Sequence, residues 1–179
     1  VDVLKAAGTV RMASATDEDT IIAEIADIDG VVIRGNGRMS RRIMEHAPRL
    51  KVVGRHGVGV DNIDLEAATD HGIQVVNTPE ATVEQVAEHA VAFMLALSKV
   101  LLPCDAMARS GRFKERLGVQ GVEMDGKTLG VVGFGRIGQR VAQICRLGLN
   151  MNILYSDVVA WPEVEASLGA RRLDLHDLL

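Results

Sequence analysis

The segment Gly133-Phe-Gly135-Arg-Ile-Gly138 most constrains what this 179-residue chain can fold into. The run Lys127–Val132 before it is apolar enough to read as a strand. After it, Val141, Ile144 and Cys145 recur at helical spacing, so the hexapeptide is a strand-to-helix turn, with the helix opening at Arg136 or Ile137. In such a turn Gly133 permits a tight bend, Gly135 lets the backbone approach an anion, and Gly138 lets helix pack closely on strand. The helix N-terminus directs free N–H groups and partial positive charge at that anion. Asp157 lies 19 residues past Gly138, at the end of the next predicted strand, Asn152–Tyr155, where it can accept hydrogen bonds from ribose hydroxyls. Glycine turn and acid together form a dinucleotide-binding fingerprint. Val158–Trp161 includes no arginine for a 2′-phosphate, which favours NAD over NADP.

The rest of the chain alternates β-branched runs with helical patterns. Strands are predicted at Thr9–Met12, Val31–Ile33, Val52–Val53, Ile73–Val76 and Arg171–Leu173. Helices are predicted after a Thr16 cap, with Ile21, Ile22 and Ile25 as the inner stripe, over Arg41–Ala47 behind Ser40, and over Leu65–His71 behind Asp64. Gly72 takes the left-handed position after the last of these. Pro162 opens a further helix that Gly169 closes, and Asp174 caps the last. Alternation of this kind predicts an α/β fold with right-handed crossovers and parallel sheets. Asn77-Thr78-Pro79 interrupts the series as a hinge and divides the chain into 1–77 and 78–179. A long helix over 82–102 follows, with Thr82 and Gln85 as a capping box and Pro103 ending the pattern. It is apolar on more than one face, which suits burial between layers or at a subunit interface. Ser110–Asp125 lacks periodicity and reads as a loop.

A second glycine site, Gly54-Arg-His-Gly57-Val-Gly59, follows a predicted strand. It reads either as a nest of N–H groups for an anion or as a plain strand-to-helix turn. Between Arg34 and Arg55 lie seven basic residues and one acid, Glu45. Most of these are expected on a solvated helix face. Arg34 and Arg55 differ because each directly follows a predicted strand, where open α/β sheets bind ligands, and are candidate anion contacts. His46 and His71 are read as helix C-terminal residues, His89 as a packing residue, and His56 as a neighbour of any ligand in the glycine loop. Aromatics are only 3%, which argues against stacking platforms for single-stranded nucleic acid. The longest apolar run, Ala90–Leu97, is too short to span a bilayer. Cys104 and Cys145 show no metal-ligand spacing, no metal site is predicted, and a reduced cytoplasmic setting is expected.

Four segments in order carry a likeness. They are Val53-Gly-Arg-His-Gly-Val-Gly-Val-Asp-Asn-Ile-Asp64, Val76-Asn-Thr-Pro79, Thr82-Val-Glu-Gln-Val-Ala-Glu-His89 and Gly126-Lys-Thr-Leu-Gly-Val-Val-Gly-Phe-Gly-Arg-Ile-Gly138. Together they resemble the D-isomer-specific 2-hydroxyacid dehydrogenases, most closely the phosphoglycerate dehydrogenase branch. The resemblance implies two doubly wound parallel-sheet domains: a flavodoxin-like substrate domain over 1–77 and the first half of a Rossmann NAD-binding domain over 78–179. Val1–Lys5 matches the family's first helix, so its opening strand is expected to be missing. The resemblance also implies that Val58 and Gly59, with the loop from Arg55, bind the substrate carboxylate through backbone N–H groups. Val58 would also lie against NAD, and Arg34 would belong to the substrate cleft. Gly133, Gly135, Arg136, Ile137, Gly138 and Asp157 would bind the cofactor. Hydride transfer between a D-2-hydroxy acid, such as 3-phosphoglycerate, and NAD is the implied reaction, in a homodimer joined through helix 82–102. The family's catalytic arginine, glutamate and histidine match no residue of this sequence, and His176 is not assigned to that role. Non-catalytic NAD-sensing interaction proteins of the co-repressor type share the fold and form the second reading.

Overall fold

The computed structural model describes residues 2–179, so Val1, the start of the expected first helix, lies outside the described residues. The chain divides into two compact units, Val1–Ala81 and Thr82–Leu179. Each is of the expected α/β class, built on a parallel three-stranded sheet.

The first unit runs α1 (Asp2–Ala7), α2 (Glu18–Glu24), β1 (Gly30–Ile33), α3 (Arg41–Glu45), β2 (Val52–Arg55), α4 (Leu65–Asp70) and β3 (Gln74–Asn77). Strand β2 is central, with Val53 paired to Val31 on one side and to Val75 on the other. The helices are short and begin where side-chain oxygens satisfy their first N–H groups. Ser40 Oγ accepts from Ile43 N and Asp64 Oδ1 from Ala67 N, as expected. Gly72 has the left-handed φ of 66°. Ile25, Ile33, Met39, Ile43, Val53, Ile63 and Ala67 form the core.

Two expectations in this unit fail. Thr9–Met12 forms no strand: Met12 is exposed, and Arg11 ties the segment to the end of α2 through Glu24 O (2.6 Å) and Asp27 Oδ1 (2.7 Å). A four-residue run with no face to bury gains nothing from pairing. The cap of α2 is Asp17, not Thr16, because the Asp17 carboxylate accepts from both the Thr20 N–H and hydroxyl.

The second unit runs α5 (Val83–Ser98), α6 (Leu101–Arg109), a 3₁₀ helix (Phe113–Gly118), β4 (Thr128–Val132), α7 (Arg136–Leu149), β5 (Asn152–Ser156), α8 (Pro162–Leu168), β6 (Arg171–Arg172) and α9 (Leu175–Leu178). Here β5 is central. Phe134, Val141, Cys145, Ile153 and Tyr155 form the core, with Ala87 and Val91 of α5 packed into it. Cys145 is buried, and the apolar surroundings raise its thiol above the ordinary range, as suits an inert core residue. The expected long helix is two. Val100 takes a left-handed conformation (φ 51°, ψ 40°), and α5 and α6 meet at a 63° bend. The break therefore precedes Pro103, which sits in the first turn of α6, where a missing N–H costs nothing. Among the described residues, no single helix is long and apolar enough to cross a membrane. Thr82 makes no side-chain cap bond, because its ψ of 2° is not the extended geometry that an N-cap needs. His89 is exposed, edge-on to Phe93 at 4.2 Å, and does not pack in the core. The stretch read as a loop, Ser110–Asp125, contains the 3₁₀ helix.

Candidate functional site

The turn after β4 is built as its glycines require. Gly133 has φ 86°, open only to glycine at low cost. A Cβ on Gly138 would stand 2.3 Å from Gly133 O and 3.1 Å from Val131 Cγ1, so α7 touches the turn and the strand directly. A Cβ on Gly135 would meet nothing within 4 Å. The backbone there faces open space. The intrahelical ladder of α7 begins with Gln139 N–H to Gly135 O at 2.9 Å. The N–H groups of Arg136, Ile137 and Gly138 therefore stand ahead of it, over the open face of the turn.

Strand β5 pins this turn from inside. The Phe134 ring is fully buried and stacks on Tyr155, with centroids 4.0 Å apart and planes 18° from parallel. The Tyr155 hydroxyl donates to Glu165 Oε1 (2.5 Å) and accepts from Trp161 N (3.1 Å). Burial, and then the Glu165 carboxylate, raise its pKa above the ordinary tyrosine range. Asp157 follows β5 directly. Its Oδ1 accepts from Val159 N (3.0 Å) and its Oδ2 from Phe134 N (2.5 Å). These two N–H groups, Val159 first, hold its carboxyl below the usual carboxylate range. A depressed pKa keeps Asp157 ionised at any pH above that lowered value, so its grip on the turn is lost only on acidification below it. The fit to a dinucleotide is thus physical: an open glycine turn, unpaired helix N–H groups, and an ionised carboxylate two residues past the buried Tyr155.

In the first unit, the second glycine loop is tied down on both sides. His56 N donates to Ile33 O at the end of β1. Beyond β3, Gly57 N donates to Thr78 Oγ1 (2.9 Å), Thr78 N to Gly57 O (3.1 Å), and Asn77 Nδ2 to Val58 O (2.7 Å). Asn62 Nδ2 reaches Gly37 O (2.5 Å) and Arg34 O (3.3 Å), so the Arg34 turn lies beside this loop. The Gly57 N–H is spent on Thr78. Val58 and Gly59 keep theirs without an intrachain partner among the described residues. The space that a Gly59 side chain would fill is taken by Asp61 Oδ1, at 2.7 Å.

Arg34 is exposed and makes no ion pair among the described residues. Arg55 folds back instead. Its Nη1 donates to His56 O, and its guanidinium fills the space beside Gly57. The other basic residues of the run are largely paired: Arg41 with Asp70, Arg42 with Glu18 and Asp19, Arg49 with Asp29. They form no continuous free cationic surface.

Arg34, Arg55, Val58 and Gly59 thus gather at the carboxyl ends of β1 and β2. Gly133–Gly138 and Asp157 gather at those of β4 and β5. Sequence reasoning missed the residues that hold both loops: Asn62, Asn77 and Thr78 in the first unit, Phe134, Tyr155 and Arg172 in the second. For Asn77-Thr78 the signal is the interruption before Pro79 and its place among the family-like segments, neither of which says that the two side chains bond to the glycine loop. For Tyr155 the inward alternation of β5 was the available signal.

Residues 1–169 match the family model of the D-isomer specific 2-hydroxyacid dehydrogenase catalytic domain. The chain is 40% identical over 174 residues to the D-3-phosphoglycerate dehydrogenase of Methanocaldococcus jannaschii, covering 97% of this chain and 33% of that protein. It is 40% identical over 168 residues to the glyoxylate reductase of Thermococcus kodakarensis, covering 90% of this chain and 50% of the relative. Among solved structures it resembles a D-lactate dehydrogenase from Aquifex aeolicus complexed with NAD and lactic acid, with a TM-score of 0.78 and 31% identity over 88% of this chain and 47% of that one. The chain therefore spans about a third to a half of the length of these relatives. With two glycine loops at sheet ends, the ionised acid after β5 and a match over nearly all its residues, the chain belongs to the D-isomer specific 2-hydroxyacid dehydrogenase family.

Proposed function

We propose that the whole protein is an NAD-dependent oxidoreductase that interconverts a D-2-hydroxy acid and its 2-oxo acid. The observation that carries this reading is the pairing of the open Gly133–Gly138 turn with the ionised Asp157, in a chain that also holds a second loop with free N–H groups at Val58 and Gly59. Gly133, Gly135, Arg136, Ile137 and Gly138 would hold the pyrophosphate and Asp157 the adenosine ribose. The bound nicotinamide would supply the hydride acceptor at C2 of the hydroxy acid. Val58 and Gly59 would bind the substrate carboxylate, and Val58, 41% exposed, would also lie against the cofactor. Arg55 would support that loop from beneath and add positive charge to it. The first unit is accordingly the substrate-binding domain and the second the NAD-binding domain.

The test is a fluorescence titration of the whole protein with NADH, followed by turnover assays on a panel of D-2-hydroxy acids. NADH bound without turnover of any of them overturns the reading. Replacing Asp157 by alanine removes the acceptor of two N–H groups and of the ribose hydroxyls, together worth about 1.5–3 kcal/mol. NADH affinity is expected to fall roughly 10- to 100-fold, and unaltered affinity contradicts the assignment.

Substrate choice is proposed from Arg34. An exposed guanidinium without an ion pair, beside a carboxylate-binding loop, suits a second anionic group such as the phosphate of 3-phosphoglycerate. Arg34→Ala is expected to raise the KM for a phosphorylated acid about tenfold, as for loss of one charged contact, while leaving NADH affinity unchanged. An unchanged KM counts against the phosphate role.

A homodimer through α5 and α6 fits the exposed Phe93, Leu97, Leu101 and Leu102 on those helices. A cytoplasmic setting fits Cys104 and Cys145, both free thiols.

A further inference from the structure

Resting on the dinucleotide reading of the second unit, we propose that Arg172 is a specificity-determining residue that forms, together with Asp157, the switch between NADH and NADPH. The usual place to seek a cation for a 2′-phosphate is the segment just after the acid, here Val158–Trp161, which holds none. The tertiary structure supplies one from elsewhere. Strand β6 pairs parallel to β5, with Arg172 opposite Tyr155, and Leu173 N donates to Tyr155 O at 2.8 Å. From that position the Arg172 side chain turns along the end of β5. Its Nε (3.1 Å) and Nη2 (2.7 Å) both donate to Asp157 O, and Nη2 also approaches Val158 O at 3.4 Å.

The guanidinium is therefore fixed on the backbone of the very residue whose carboxylate would take the ribose. It is exposed, and among the described residues it pairs with no carboxylate. Nη1 makes no hydrogen bond among the described residues. The Asp157 carboxylate itself bonds to Phe134 N and Val159 N and not to the guanidinium. Two opposite charges thus stand at one ribose site without being bonded to each other. While the carboxylate is present, it accepts ribose hydroxyls and repels a 2′-phosphate. Without it, a guanidinium already held in place, with N–H donors to spare, matches a phosphate well.

The test measures dissociation constants of NADH and NADPH by fluorescence titration on the whole protein and on D157S, D157S/R172Q, D157S/R172K and R172Q. Circular dichroism checks that each is folded. D157S is expected to bind NADPH at least tenfold more tightly than the wild type does. R172Q in that background should abolish the gain, R172K should keep part of it, and the gain should shrink as salt is raised. NADPH binding that is equal in D157S and D157S/R172Q overturns the proposal. Arg172 is exposed, so R172Q alone keeps the question open to test if the Asp157 variants fail to fold. It should weaken NADPH more than NADH, and equal effects on both overturn the proposal. Wild-type protein that binds neither nucleotide overturns the dinucleotide reading itself, and the switch falls with it.

Discussion

Phe134→Ala is expected to lower the unfolding free energy by about 3–5 kcal/mol, the range for deleting a buried aromatic ring. The position lies within the glycine turn, yet its ring is fully buried against Tyr155, so the loss is one of core and of site together. Removing the ring leaves the turn tied to the end of β5 by the Gly133 N–H bond to Ser156 O and by the Asp157 carboxylate, with no side chain packed between them. Urea unfolding of the whole protein measures the effect. NADH affinity should fall alongside stability, because the turn no longer holds one shape before the ligand arrives. Phe134→Leu, which keeps most of the apolar volume, should recover much of both. A destabilisation below about 1 kcal/mol, the usual size of a surface substitution or less, would mean that the stacked pair does not hold the turn.

The second large effect is expected at Gly138. The Cβ of an alanine there would stand 2.3 Å from the Gly133 carbonyl oxygen, a backbone atom with no rotamer to change. Either α7 moves off the strand or the turn opens, and both displace the N–H groups of Arg136 and Ile137 that are proposed to hold the pyrophosphate. Overpacking of this kind costs about 1–3 kcal/mol of stability. NADH binding should suffer more, by roughly 100-fold or beyond, since about 2.7 kcal/mol of lost contact gives that factor. The neighbouring Gly135→Ala is the internal comparison. Its Cβ meets no protein atom, so the fold should survive while an approaching ligand is obstructed. Equal NADH affinity in Gly138→Ala and the wild type would sink the close-packing argument.

Much of the fold is legible residue by residue. Ser40 and Asp64 cap their helices, Gly72 and Gly169 end theirs in left-handed conformations, and Pro162 opens α8, because these are local decisions made within four residues. Local signals mislead where a partner is needed. Thr9–Met12 has strand-like residues but no strand beside it, and Arg11 finds α2 instead. The break at Val100 carries no signature at all, since a β-branched residue is among the least expected in a left-handed conformation. Periodicity placed the end of that helix at Pro103, the one residue there with an obvious reason to stop it.

The sequence by itself determined the two parallel α/β sheets, the glycine turn with its acid, and the family, since each depends on residue type at fixed short spacing. Only the tertiary structure decided what those loops rest on. It spends the Gly57 N–H on Thr78, folds Arg55 back under its own loop, and pairs Arg41, Arg42 and Arg49 with acids on other elements. It also brings Arg172 to Asp157 across β5 and β6. The physical reason is that each of these contacts joins segments brought together by strand pairing and helix packing, so its partners are set by the fold and not by residue type at short spacing.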